Sequence, residues 1–247
     1  MLAEILFLSL LAGLATGLGG LLGVLRKPGR KLLGLQMGFA GGVMVSLSFL
    51  GLLLEAWRAG SPFHATIAFT AGALLGFGID FSLPHIHFSM KEKGPKLLHP
   101  RLLRVGILLA VGIAIHNLPE GIALGAGYLH LPKFGLLVAL AIALHNIPEG
   151  IASAAPLVAA GWSKARAFAL ALLSGLAEPL GAVVAVVFLM PFTALIPLAL
   201  AFAAGIMVFI TFDELMPMAH THLEEHYVSF GLILGCLLTL LLLGVLS

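Results

Sequence analysis

The chain has 247 residues, of which 60% are hydrophobic and 10% charged, with a formal net charge of +2. Soluble domains carry about 25% charged residues, so the composition excludes a water-soluble globule, and so small a net charge excludes a nucleic-acid partner. Cys236 is the one cysteine and lies in an apolar run, which excludes a disulfide framework. The expectation is an all-α integral membrane protein, a single polytopic domain over residues 1–247 in the lipid bilayer. A helix satisfies its own backbone polar groups where no water is available.

Apolar runs of about 20 residues are long enough to cross a hydrocarbon core of about 30 Å. They predict eight transmembrane helices, at 3–25, 33–57, 63–85, 104–129, 134–160, 167–190, 194–218 and 228–246. The first is followed by its basic residues rather than preceded by them, the reverse of a cleaved signal, so it is read as a retained helix. The third closes on Asp80-Phe-Ser-Leu-Pro-His85-Ile-His87, where His85 and His87 are candidate metal ligands of the next loop. The seventh carries Asp213 and Glu214, candidates for an exit pathway. His220 and His222, beside Glu224 and Glu225, are a second candidate loop cluster. Eleven of the 13 Lys and Arg residues fall in the loops after helices 1, 3 and 5; Arg58 and Lys133 fall on the other side. Basic loops stay in the cytoplasm, which places both termini outside, in a plasma membrane.

The fourth and fifth helices carry the chemistry. Residues 114–121 read Ala-Ile-His116-Asn117-Leu-Pro-Glu120-Gly, and residues 143–150 read Ala-Leu-His145-Asn146-Ile-Pro-Glu149-Gly. Carboxylates inside an apolar span are costly and mark function. His and Glu four apart share a helix face, and imidazole nitrogen and carboxylate oxygen are ligands for zinc and its divalent neighbours. Each histidine lies about 18 Å into its helix at 1.5 Å per residue, near the midplane. The sixth helix adds Glu178, followed by Pro179, at a similar depth. The candidate metal set is therefore His116, Asn117, Glu120, His145, Asn146, Glu149 and Glu178, with room for one ion or for two bridged by Glu120 and Glu149. The prolines are expected to break their helices and to free backbone beside the ligands.

The two motifs lie 29 residues apart in helices of opposite direction. A second repeat relates residues 38–56 to 201–219, with eight identities in 19, among them Phe39/Phe202, Gly42/Gly205, Met44/Met207 and Phe49/Phe212. Helices 1–3 and 6–8 are thus expected to be inverted copies around helices 4 and 5, a plan that recurs in transporters with midplane sites. A zinc-dependent intramembrane hydrolase is the rival, but its usual His-Glu-x-x-His helix is absent.

The paired His-Asn-x-Pro-Glu-Gly motifs, Glu178-Pro179 and the Asp213-Glu-Leu-Met-Pro stretch resemble those of the ZIP (Zrt/Irt-like) metal transporters, closest to the prokaryotic broad-metal branch. The resemblance implies uptake of Zn2+, and of Fe2+, Mn2+, Co2+ or Cd2+, into the cytoplasm, commonly by a homodimer and without enzymatic activity. It implies a primary site of His116, Glu120, His145 and Glu149 with Glu178 close by. The adjacent site it implies is made of Asn117, Asn146, Glu120, Glu149 and Glu178. An acid stands in some relatives where this chain has Asn146.

Overall fold

The computed structural model describes residues 1–26, 28–82, 100–159, 161–222 and 224–246, with the backbone alone for 100–111, 113, 218, 221, 222 and 246. The described residues form helices and short connections, with no strand among them. Span 1 is Leu2–Leu25, span 2 Arg30–Ala59, span 3 Pro62–Ser82 and span 4 Pro100–His130. Span 5 is Pro132–Ala159, span 6 Lys164–Leu189, span 7 Thr193–Leu215 and span 8 Glu225–Leu246. Each coincides with a predicted run. Pro62 and Pro132 open spans 3 and 5, where a missing N–H costs nothing. The Ser163 hydroxyl caps span 6 by accepting from the Arg166 N–H at 3.3 Å.

The outward surface is apolar. Phe63, Leu74, Phe81, Leu180, Phe188 and Leu241 are all exposed. In water such a surface would drive aggregation, whereas in lipid it is the ordinary solvent-facing side. Spans 2 and 5 are the most enclosed, and spans 3 and 8 lie at the periphery.

The packing follows the inverted repeat. Span 1 lies along span 5 as span 6 lies along span 4. Span 2 lies along span 8 as span 7 lies along span 3, and span 4 meets span 7 as span 5 meets span 2. Glycines make the closest approaches at matched places. A side chain on Gly72 would strike the Phe202 carbonyl, and one on Gly235 would strike the Phe39 carbonyl; both partners are shifted by the same interval as the repeat seen in the sequence. At the crossing of spans 1 and 6, a Cβ on Gly13 or on Gly175 would strike the other's carbonyl.

Two features depart from the expectations. Pro119 and Pro148 sit within continuous helices, so neither motif breaks its span. The break comes in span 6, at Leu176, between helices Lys164–Gly175 and Ala177–Leu189. Pro179 offers no N–H to the Gly175 carbonyl, and glycine there adds backbone freedom; the helical carbonyls facing Pro119 and Pro148 belong to Ile115 and Leu144 instead. The second feature is a pair of π-helical segments, Leu47–Leu53 and Thr211–Leu215, at equivalent points of spans 2 and 7. Such segments commonly accompany functional sites.

Candidate metal centre

His116 stands midway along the 31-residue span 4, and His145 midway along the 28-residue span 5. Glu178 lies in the first turn of the restarted half of span 6, where the positive end of the helix dipole favours a carboxylate. His116, Asn117, Glu120, His145, Asn146, Glu149 and Glu178 are all buried. The four-residue spacing holds each His–Glu pair on one helix face, and the opposed directions of spans 4 and 5 turn those faces together.

His116 Nε2 lies 3.2 Å from Glu149 Oε1 and 3.6 Å from Glu120 Oε1, but forms a hydrogen bond with neither. One ligand atom from each of His116, Glu120 and Glu149 falls within 4.8 Å of the other two. The centre of such a triangle is at most about 2.8 Å from each atom, against about 2.0–2.2 Å for zinc–nitrogen and zinc–oxygen bonds. A contraction of less than about 1 Å would seat an ion there.

His145 stands beside this triangle. Its Nδ1 is 3.0 Å from the Ala141 carbonyl, which only accepts, so Nδ1 carries the hydrogen. Its Nε2 is 2.9 Å from Glu120 Oε1. The Ala141 bond fixes the ring with Nε2 toward the carboxylates, the kind of support that orients metal-binding histidines.

The asparagines are held in the same way. Asn117 Nδ2 donates to the Ser174 carbonyl at 3.1 Å and Asn146 Nδ2 to the Ala12 carbonyl at 3.0 Å; Asn146 Nδ2 also donates to Glu178 Oε1. Both amide nitrogens are spent on spans 6 and 1, leaving each Oδ1 as an acceptor. Asn117 Oδ1, Asn146 Oδ1 and one oxygen each of Glu120, Glu149 and Glu178 are buried without a hydrogen-bond partner among the described residues. Buried polar atoms are nearly always paired. A cluster of unpaired acceptors around three carboxylates suits a cation.

The remaining sequence candidates lie outside the triangle. Asp213 and Glu214 are exposed on the π-helical segment of span 7, where Asp80 from span 3 comes within electrostatic reach of Glu214. His220 is exposed near the end of the helix Met216–His222. His85 and His87 lie outside the described residues, as does the side chain of His222.

Two further elements carry no motif. Glu55 binds His130 at 2.9 Å and Arg58 at 3.5 Å, tying the ends of spans 2 and 4. Thr16 in span 1 is wholly buried, and its hydroxyl has no partner among the described residues. One signal for Thr16 is in the sequence. Residues 13–20, Gly-Leu-Ala-Thr-Gly-Leu-Gly-Gly, match residues 175–182, Gly-Leu-Ala-Glu-Pro-Leu-Gly-Ala, at five of eight positions, with Thr16 opposite Glu178.

The family model described as ZIP Zinc transporter matches residues 84–243. Proteins named Zinc transporter ZupT are similar over nearly their full length. The one from Chlorobium luteolum is 44% identical over 247 residues, covering 93% of each chain. That from Corynebacterium efficiens is 43% identical, covering 92% of this chain and 91% of its own. That from Akkermansia muciniphila is 41% identical, covering 97% and 96%. Eight helices in inverted repeats, a buried His/Glu centre where they cross and these similarities lead to one conclusion: the chain belongs to the ZIP family.

Proposed function

We propose that the chain carries divalent metal ions through the membrane into the cytoplasm, Zn2+ foremost and Fe2+, Mn2+, Co2+ and Cd2+ by the same route. The observation that carries this reading is the buried triangle of His116, Glu120 and Glu149, whose ligand atoms lie within 4.8 Å of one another. The ion takes His116 Nε2 and one oxygen each from Glu120 and Glu149, and His145 joins through its Nε2. The second oxygens of Glu120 and Glu149 bridge to a second ion held by Asn117, Asn146 and Glu178. The set has no thiolate and mixes nitrogen with oxygen, which suits a site that must release its ion.

Basic loops after spans 1, 3 and 5 face the cytoplasm of a plasma-membrane protein with both termini outside. Asp80, Asp213 and Glu214 receive the ion on that cytoplasmic side. The protein works as a homodimer and has no enzymatic activity of its own. The test is uptake of a divalent panel into proteoliposomes. His116→Ala and Glu149→Ala abolish uptake while the purified protein elutes and melts as wild type; unchanged uptake in both variants overturns the reading.

A further inference from the structure

Spans 1 and 6 are copies, and the copy extends to the metal centre. Asn117 donates to Ser174 of span 6 and Asn146 to Ala12 of span 1; each carbonyl belongs to the residue four before the repeat position, Glu178 in one case and Thr16 in the other. The backbone agrees: a Cβ on Gly121 would strike the Glu178 carbonyl, and one on Gly150 the Thr16 carbonyl. Thr16 therefore stands in span 1 where Glu178 stands in span 6. The same comparison sets Gly17 against Pro179, so span 1 keeps the N–H that span 6 lacks and runs unbroken from Leu2 to Leu25.

The two halves differ in how they are satisfied. Glu178 accepts from Asn146, whereas the shorter Thr16 makes no bond. Thr16 Oγ1 and Asn117 Oδ1 are both wholly buried and both unpaired among the described residues. A helical threonine ordinarily returns its hydroxyl to the carbonyl four residues back, as Thr211 does to Met207 at 2.7 Å and Thr239 to Gly235 at 3.2 Å. For Thr16 that carbonyl is Ala12, which already takes the Asn146 amide. Thr16 lies against Gly175, with a Cβ built there only 3.1 Å from its own Cβ. Asn117 is anchored on the neighbouring Ser174.

We propose that the Thr16 hydroxyl and Asn117 Oδ1 form a neutral, all-oxygen half of the metal centre opposite Glu178 and Asn146, and that Thr16 sets how well oxygen-preferring divalent ions pass relative to zinc. The proposal rests on the reading of the midplane cluster as the transport site. Zinc is content with four ligands rich in imidazole nitrogen. Manganese prefers carboxylate, carbonyl and water oxygens, so a hydroxyl and an amide oxygen weigh more in its binding.

The experiment measures Mn2+ and Zn2+ flux, separately and in competition, into liposomes holding the full chain. Thr16→Val and the smaller Thr16→Ala remove the hydroxyl, and Thr16→Ser keeps it. The expected result is a fall of about tenfold in the Mn2+/Zn2+ flux ratio for Val and Ala, the scale on which supporting groups tune metal sites, with Ser close to wild type. A ratio within about twofold of wild type in both Val and Ala overturns the proposal. So does an equal loss of both metals, which marks a packing role. Glu149→Gln is run beside them; wild-type flux of both metals in that variant overturns the transport-site reading itself, whatever Thr16 does.

Discussion

Glu120→Gln removes one charge and almost no volume where spans 4 and 5 meet. Glu120 is wholly buried, and its Oε1 lies 2.9 Å from His145 Nε2 and 3.6 Å from His116 Nε2. An ion at the centre of the triangle sits about 2.8 Å or less from that oxygen. At that distance, with an effective dielectric of about 20, a divalent ion and a carboxylate attract by about 12 kcal/mol. Most of this is offset, because the same change removes the cost of burying Glu120 and its repulsion with Glu178. The net penalty for breaking buried charge pairs on one side is about 3–5 kcal/mol, which is about two to four orders of magnitude in Kd. The fold should survive. The Gln amide nitrogen donates to the bare His145 Nε2, and the Ala141 carbonyl still holds the ring. Titration calorimetry with Zn2+ on detergent-solubilised protein, beside a melting curve, reads both quantities. A Kd within about threefold of wild type, less than 1 kcal/mol, would refute the assignment of Glu120 to the ion.

Asn146→Asp places an acceptor against the Ala12 carbonyl and Glu178 Oε1, so the metal-free protein should lose about 2–4 kcal/mol. Divalent metal should restore that loss, raising the melting midpoint more than in wild type, and equal rises would refute the pairing. Gly175→Val drives a side chain into the Gly13 carbonyl, and the crossing of spans 1 and 6 should cost at least about 1–3 kcal/mol, read as a lower melting midpoint; an unchanged midpoint would refute that contact. Ligand imidazole and carboxylate must be deprotonated to bind metal. Affinity should therefore fall as pH is lowered, read by calorimetry as a weaker Kd. An affinity that does not weaken in acid would refute imidazole and carboxylate ligation.

The buried polar cluster was legible because lipid makes polar residues conspicuous. His116, Glu120, His145 and Glu149 stand out against apolar neighbours, and their spacing alone predicts a shared face and depth. Asn117 and Asn146 were legible as members of the set but not in their orientation. That depends on the carbonyls of Ser174 and Ala12, supplied by helices far away in the chain. The prolines misled as well. Pro119 and Pro148 are carried within continuous helices, and the break falls instead at Leu176, between Gly175 and Pro179. Thr16 is conspicuous only after spans 1 and 6 are laid against each other, since a single hydroxyl in an apolar helix is usually satisfied by its own backbone. The Glu55–His130 contact joins residues 75 apart and has no pattern to announce it.

That contact sets the two faces of the molecule apart. The repeat carries Glu55 to Met218 and His130 to Ala159, neither of them able to bear a charge. Two inverted copies are related by a pseudo-twofold axis in the membrane plane, and identical copies would present the same rim on both faces. Here the Glu55–His130 ion pair near Arg58 has no copy at the repeat-related positions Met218 and Ala159. A partly exposed ion pair contributes up to about 1 kcal/mol. The difference between the two copies is thus written at the edge of the molecule, in a contact that leaves the buried centre untouched.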